Sequence, residues 1–247
     1  ISLKIMLLKS KKLVSIIIRT KNEDTWLEDC ILSIFQQSYK NYEIIIVDNN
    51  SNDKTLEICK KYNLKVIKIK KFKPGKAIND GIKKASGQYI VILSAHCIPA
   101  TTDWLFNFIR KIKRKNVAGV YGRQIPFKNS SIKTKRDLYI TFGLDEKLQK
   151  KDPFFHNANS CIKKNVWNKI KFNNFATNIE DRIWAAKILQ KGFEIVYTPS
   201  SPVYHFHGIH HDDKLVRLKK TVKILDKMTK IVLNNKIKTN NLRNNYD

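Results

Sequence analysis

Short runs of branched apolar residues alternate along the first half of the chain with segments whose apolar residues recur at helical spacing. The runs predict four buried strands, at 14–19, 42–47, 64–69 and 87–93. The intervening segments predict helices through 27–35, 54–61 and 77–85. Strands that alternate with helices over such short distances are typical of a right-handed parallel unit, so the predicted fold class is α/β.

The second half of the chain has a weaker pattern. Further helices are predicted at 104–112, 164–169 and 178–190, and further strands at 117–121 and 193–197. The polar segment 122–151 lacks a clear period, and we expect it to be a loop or a mobile region.

The residues from Lys214 onward differ in character from the rest. Apolar residues fall on one helical face, and segment 214–247 carries ten basic and two acidic residues. We therefore expect a main domain at 1–213 and a basic amphipathic extension at 214–247. The extension could pack on the domain or lie on an anionic membrane surface, and the sequence leaves both open.

Net charge and cysteine content limit which partners and which cellular compartment the sequence predicts. A formal net charge of +27 suggests nucleic acid as a partner, but the lysines are scattered and form no binding stripe with aromatic residues. A membrane surface or phosphorylated substrates would also suit this charge. No apolar run approaches the roughly 20 residues that span a bilayer, and no signal peptide is evident. The four cysteines show no C-x-x-C pair, which favours buried thiols in a cytoplasmic protein, with Cys97 as a less favoured nucleophile.

Polar residues follow the predicted strands where ligands bind in such sheets. Ser-Ala-His at 94–96 follows the fourth strand, Thr20 and Asn22 end the first, and Asp48 ends the second. Because the carboxyl ends of parallel strands meet at one edge, these residues are predicted to form a binding site.

Five segments occur in the order seen in family 2 glycosyltransferases, and together they carry a resemblance to that family. They are 15–23 (SIIIRTKNE), 45–53 (IIVDNNSND), 75–82 (GKAINDGI), 87–93 (GQYIVIL) and 179–184 (IEDRIW). The resemblance covers roughly 13–208 and is nearest to bacterial rhamnosyltransferase-like and polysaccharide-assembly members. It implies a GT-A fold, in which a Rossmann-like nucleotide-binding half joins an acceptor-binding half, and transfer with inversion at the anomeric carbon.

The resemblance also implies roles for residues on the donor side. Asp48 matches the aspartate that contacts the base, and Thr20 and Asn22 lie beside it in the sequence pattern. Lys76, near a helix start, would meet phosphate. The alternatives are a turn role for Asp48 and a solvated role for Lys76.

The acceptor side is implied by a second set of residues. Glu180 and Asp181 match the family's acidic pair, with Asp181 as the base that takes the proton of the attacking hydroxyl. Arg182 would hold a phosphate or pair with Glu180, and Asn159 would contact the acceptor or the donor sugar. Helix capping by Asp181 and a turn role for Asn159 are the structural alternatives.

One motif departs from the family. The usual Asp-any-Asp that holds Mg²⁺ or Mn²⁺ is replaced by Ser94, Ala95 and His96, which weakens binding of a hard cation. Either His96 binds a metal together with His205 or His207, or no metal binds. In the second case His96 neutralises the diphosphate with the basic residues Lys76, Arg123 or Arg182.

The sequence therefore predicts a glycosyltransferase that moves a sugar from a nucleotide-sugar donor to a glycan or a lipid-linked saccharide. It is expected in the cytoplasm or at the inner face of the plasma membrane, without a nucleic-acid partner. A catalytically inactive nucleotide- or glycan-binding subunit is the main alternative, and a nucleic-acid-binding protein is a weaker one.

Overall fold

The computed structural model describes residues 12–206 and 219–226. The strands are β1 (Val14–Thr20), β2 (Tyr42–Asp48), β3 (Lys65–Lys68), β4 (Tyr89–Ser94), β5 (Cys97–Pro99), β6 (Val117–Pro126), β7 (Lys147–Gln149), β8 (Asn159–Lys163) and β9 (Glu194–His205). The helices are α1 (Leu27–Phe35), α2 (Thr55–Lys61), α3 (Pro74–Lys83), α4 (Trp104–Ile112), α5 (Ile132–Thr141), α6 (Lys164–Lys169) and α7 (Glu180–Gln190).

The chain divides into two units, Ile1–Ile209 and His210–Asp247. In the second unit, residues 219–226 are helical. The predicted boundary between 213 and 214 and the amphipathic character of 214–247 stay predictions, because most of that segment lies outside the described residues. The same holds for the expectation about the first residues of the chain.

The described strands of the first unit form one mixed sheet in the order β3-β2-β1-β4-β8-β6-β9-β5, with β7 paired to β9. Strands β1 to β4 are parallel, as predicted. Strand β8 runs antiparallel to both β4 and β6, and β6 and β9 are parallel to each other. The predicted α/β class is therefore confirmed, although reversed strands extend the sheet beyond its parallel half.

Helices cover both faces of this sheet. Successive residues of β1 point to opposite faces, so Ile16 and Ile18 pack with α1 and α4 while Ile17 packs with α3 and α7. The largest side chains on the two faces are Trp104 and Trp184, both fully buried. A sheet covered on both faces requires the continuous apolar runs that the sequence shows.

The prediction of a loop at 122–151 is wrong. Strand β6 continues to Pro126, and helix α5 and strand β7 follow it. The Ser131 hydroxyl accepts a hydrogen bond from the Thr134 backbone N–H at 3.1 Å and so caps α5. Only Leu138 and, just beyond the helix, Phe142 anchor this region in the core. Two anchors are too few to give a readable helical period.

Strand β9 is also longer than predicted, since it continues past Pro199 and Pro202 to His205. Prolines usually end a strand because they lack a donor for the ladder. Here they fall where the pairing between β6 and β9 shifts register, between the Gly122/Thr198 and Gln124/Val203 pairs. The irregularity accommodates them and lets β9 carry His205 toward the site.

Gly122 marks a point in β6 where no side chain fits. A Cβ there would collide with the Ser201 carbonyl oxygen and the Asn159 side-chain nitrogen, whereas a Cβ at Gly143 would meet nothing. We expect Gly122→Ala to lower the free energy of unfolding by about 2 kcal/mol or more, because β9 and β8 must move apart. Gly143→Ala is the matched control, and urea denaturation measures both. Equal stability of the two variants would contradict this packing.

Candidate active site

The carboxyl ends of β1, β2 and β4 meet the loop before β8 and the beginning of α7. Residues Arg19 and Thr20 end β1, and Asp48 ends β2. The pairing of Arg19 with Ser94 sets the ends of β1 and β4 side by side. Most of the predicted site residues come from this edge of the sheet.

A hydrogen-bonded network joins the predicted nucleotide-binding residues at the β1 and β2 ends. Asp48 Oδ1 accepts from the Thr20 hydroxyl at 3.0 Å and from the Ser51 hydroxyl at 2.5 Å, and Oδ2 accepts from the Ser51 N–H. Asn22 donates its backbone N–H to Ser51 Oγ, and its side-chain oxygen accepts from the Asn52 N–H, both at 2.9 Å. The structure thus brings Thr20, Asn22 and Asp48 together, with Asp48 fully buried.

The acidic pair lies at the first turn of α7. Burial raises the pKa of Glu180, and the neighbouring Asp181 raises it further, while Arg19 opposes the shift. Burial also raises the pKa of Asp181, against hydrogen bonds from the backbone N–H groups of Asn157 and Arg182. Two adjacent carboxyl groups in a buried setting therefore retain protons to a higher pH than isolated ones.

Arg19 is a functional candidate that the sequence reasoning missed. Its guanidinium forms an ion pair with Glu180 at 3.4 Å and donates to the Asn157 carbonyl at the same distance. Asn157 in turn donates its side-chain amide to Glu180 and its backbone N–H to Asp181, both at 3.2 Å. A charged residue at the end of an otherwise apolar strand was the available signal.

The residue before α7 has a strained backbone. Ile179 adopts φ 48° and ψ 30°, in the left-handed region that a β-branched side chain rarely enters. No side-chain hydrogen bond caps this helix. The unusual backbone turns the chain directly into Glu180 and Asp181, and strain of this kind is commonly found at functional sites.

Three histidines form a row from the end of β4 to the end of β9. His96 Nδ1 lies 2.7 Å from the Glu23 carboxylate, and its ring stacks on His205 at 5.3 Å between centroids. His205 contacts His156 edge to face at 6.5 Å. Glu23 and His156 were not predicted. His207 lies outside the described residues.

The remaining predicted residues have partners of their own. Lys76 forms an ion pair with Asp80 on the exposed side of α3. The Arg182 guanidinium lies 4.7 Å from the centre of the Phe154 ring, and the Arg182 backbone N–H donates to Asp181. Arg123 Nε donates to the Phe142 carbonyl at 3.2 Å.

Asn159 is fully buried and serves the fold in this structure. Its side-chain oxygen accepts from the Trp104 indole N–H at 2.9 Å. Its amide nitrogen donates to the carbonyls of Arg123 and Ser201. Every polar group of the side chain is therefore engaged, and the acceptor-binding role stays a prediction.

The side chains at 94–96 do not form a site suited to a hard divalent cation. Ser94 and His96 supply no carboxylate, and the Glu23 carboxylate already lies on His96. Within residues 12–206 and 219–226, no three His, Cys, Asp or Glu side chains cluster as metal ligands.

The four cysteines are free thiols, and all are buried. Burial raises the pKa of Cys97 well above its ordinary value and raises that of Cys59 to about 11. A buried thiol with a raised pKa stays protonated, which disfavours Cys97 as a nucleophile.

Comparison with known proteins identifies related sequences. The family model described as glycosyl transferase family 2 matches residues 15–171. A Methanococcus voltae protein named dolichyl N-acetyl-alpha-D-glucosaminyl phosphate 3-beta-D-2,3-diacetamido-2,3-dideoxy-beta-D-glucuronosyltransferase is 42% identical over 44% of this chain and 38% of its own length. The O-antigen chain rhamnosyltransferase RfbN of Salmonella typhimurium is 25% identical over 79% of this chain and 67% of its own length.

Solved structures share the architecture at low sequence identity. The mannosyltransferase PcManGT from Pyrobaculum calidifontis, in complex with GDP-Man and Mn²⁺, has a TM-score of 0.64 and 20% identity over 80% of this chain and 57% of that chain. S. aureus TarS in complex with UDP-GlcNAc has a TM-score of 0.63 and 17% identity over 78% of this chain and 58% of that chain. The chain thus spans little more than half of these structures.

Proposed function

The chain belongs to glycosyl transferase family 2 and has the GT-A fold, and from this premise we propose that it transfers a sugar from a nucleotide-sugar donor. The acceptor is a glycan or a lipid-linked saccharide in the assembly of a surface polysaccharide. The observation that carries the proposal is the acidic pair of buried Glu180 and half-buried Asp181, held by Arg19 and Asn157 beside the carboxyl ends of the parallel strands. The activities for which two relatives are named, those of a glucuronosyltransferase and an O-antigen rhamnosyltransferase, support it.

Asp181 acts as the general base in this proposal. Its carboxylate takes the proton of the acceptor hydroxyl while that oxygen attacks the anomeric carbon. The bond between the anomeric carbon and the diphosphate oxygen breaks, and the nucleoside diphosphate leaves with the electron pair. Attack from the face opposite the leaving group inverts the anomeric centre. Glu180, ion-paired with Arg19, holds the helix start beside the base.

The donor nucleotide is assigned to the Asp48 network. Thr20, Asn22 and Asp48 lie at the β1 and β2 ends, where the base and ribose bind in sheets of this kind. Binding there requires the Ser51 loop to share or exchange its hydrogen bonds with the ligand. Lys76 is assigned to phosphate, for which it would leave Asp80.

The leaving diphosphate is assigned to cationic groups instead of a metal. In this proposal Ser94 and His96 stand in for the family's Asp-any-Asp carboxylates, and the Glu23 carboxylate lies 2.7 Å from His96 Nδ1. The Arg19 guanidinium, which contacts Glu180 and the Asn157 carbonyl, supplies a cation at this edge, and Arg182 is adjacent to the base in the chain. Fixed positive groups aimed at developing negative charge are an effective means of stabilising a transition state.

The setting we propose is the cytoplasm, at the inner face of the plasma membrane. Within the described residues, no helix combines the length and apolar character needed to span a bilayer. The acceptors named for the relatives are parts of surface or lipid-linked glycans, which supports contact with a membrane surface. Nucleic acid is not among the proposed partners.

Calorimetric titration with a panel of nucleoside diphosphates, each run with EDTA and with Mn²⁺, tests this assignment. We expect one nucleotide to bind equally under both conditions, because the described residues offer cations and not a hard-cation site. Asp48→Asn should weaken that binding about tenfold or more, since it removes a buried charged acceptor.

Binding that appears only with Mn²⁺ would assign His96 and the downstream histidines to a metal and contradict the metal-free proposal. Absence of binding under both conditions would indicate that the chain does not bind a nucleotide-sugar donor. Donor binding without any transfer to acceptors would favour the catalytically inactive subunit.

A further inference from the structure

An apolar stripe on α5 is exposed although the helix packs against the domain with its other face. Ile132, Tyr139 and Ile140 are 87%, 52% and 77% exposed. Their spacing places them on one side of the helix, whereas Leu138 is buried on the opposite side. Large apolar side chains left exposed on one side of a helix favour an interaction site.

Basic residues surround this stripe. Segment 128–151 carries seven Lys or Arg and three Asp or Glu, a net charge of +4. Arg136 lies within the helical sector of the stripe, and its exposed side chain reaches the neighbouring Asp137 at 2.7 Å. The helix therefore offers exposed isoleucine and tyrosine side chains together with basic side chains, the two kinds of group that contact an anionic lipid surface. Such long cationic side chains extend toward lipid head groups while their stems cover apolar surface.

We propose that the α5 stripe docks on an anionic lipid bilayer. Charge complementarity favours a bilayer over two other partners, a second copy of the chain and its own C-terminal segment. A second copy would set two surfaces of net charge +4 against each other, on chains of net charge +27. The C-terminal segment 214–247, with ten basic and two acidic residues, is also like-charged. An acidic lipid surface offers both an apolar layer for the stripe and negative charge for its rim.

The position of α5 links this surface to the candidate active site. Phe142, just beyond the helix, contacts the His156 ring at 5.9 Å between centroids, and its carbonyl accepts from Arg123. Phe142 therefore connects the end of α5 to the histidine row through the interior of the domain. The inference rests on the membrane contact in the proposed function and assigns it to one surface, and vesicle binding can be measured whether or not transfer occurs.

Cosedimentation of the full chain with vesicles tests the proposal. Vesicles of phosphatidylcholine with phosphatidylglycerol should retain the wild-type chain, and vesicles of phosphatidylcholine alone should retain much less. The double variant Ile132→Ser, Ile140→Ser should lose about tenfold or more in partitioning, from the apolar area it removes. Phe106→Ser is the matched control, since Phe106 is 48% exposed on α4. The control should bind like the wild type.

Several results would overturn the inference. They are failure of the wild-type chain to bind anionic vesicles, equal binding by the double variant, or equal loss in the control. If light scattering shows that the wild-type chain is a dimer and that the double variant is a monomer, the stripe binds a second copy.

The double variant Lys135→Glu, Arg136→Glu gives a second test, because it keeps the apolar residues and should also reduce binding. Calorimetry with nucleoside diphosphate is run on each variant, so failure of nucleotide binding alone would contradict only the proposed function.

Discussion

Asp181→Asn should lower kcat for sugar transfer by about 10³-fold while leaving the affinity for the donor nucleotide unchanged. The variant keeps the shape of the side chain but cannot accept the proton of the acceptor hydroxyl, and a positioned base typically contributes about 10²- to 10⁴-fold. Steady-state kinetics with calorimetry on the same preparation separates kcat from binding. Loss of nucleotide binding together with activity would indicate that Asp181 acts on the fold or the donor.

The same base predicts a pH dependence. Because burial raises the pKa of Asp181, the deprotonated form accumulates only above the ordinary range of about 4. Transfer should therefore rise with pH along an acidic limb displaced upward, measured as kcat/KM. Glu180→Gln removes the neighbouring negative charge that raises the pKa of the pair, so it should move that limb to lower pH. An unshifted limb in Glu180→Gln would show that the two carboxyl groups do not titrate together.

Arg19→Met should destabilise the protein by about 3 kcal/mol or more at pH 8, since it leaves the Glu180 carboxylate buried without its cation. The loss of Arg19 raises the folded-state pKa of Glu180 further, while the unfolded-state pKa is unchanged. The folded state then retains a proton that the unfolded state releases, so the deficit grows as pH rises through the carboxyl range and shrinks as pH falls. Urea denaturation at several pH values measures this dependence.

Two further variants control that experiment. Arg19→Met combined with Glu180→Gln should recover much of the lost stability, because no charge is then left unpaired. Lys61→Met breaks the surface ion pair with Glu28, in which both side chains are exposed, and should leave stability within error of the wild type. A pH-independent deficit in Arg19→Met would show that its packing, not its charge, holds the helix start.

Much of the parallel half of the fold could be predicted because each of its strands is buried on both faces. Strands β1, β2 and β4 appear as unbroken apolar runs, and Trp104–Ile112 was predicted to the residue. Helix α5 could not be found in this way, since its apolar residues divide between a sparse core contact and an exposed stripe. The reversed strand β8 was also missed, because its Asn159 and Ser160 are polar residues buried by hydrogen bonds.

The candidate site was predictable where one motif supplied it, and less so where distant segments meet. Asp48, Thr20 and Asn22 lie at the ends of two neighbouring strands, and the polar residues of both segments are evident in the sequence. The Arg19–Glu180 ion pair joins residues 161 positions apart, and no local pattern reports such a contact. The Glu23–His96 contact similarly depends on how the β1 and β4 loops are placed by the sheet.

The order of the strands has a consequence for how the protein is made. Strand β4 is paired on one side by β1, but its other neighbour, β8, ends at Lys163, about 70 residues later. At 5–20 residues per second, the ribosome needs roughly 3–14 s to supply that partner. Throughout that interval the nascent chain carries the open edge of a strand whose residues are all buried in the finished protein. Such an edge can pair with another chain, so the emerging polypeptide is most vulnerable to aggregation before residue 163 has left the ribosome.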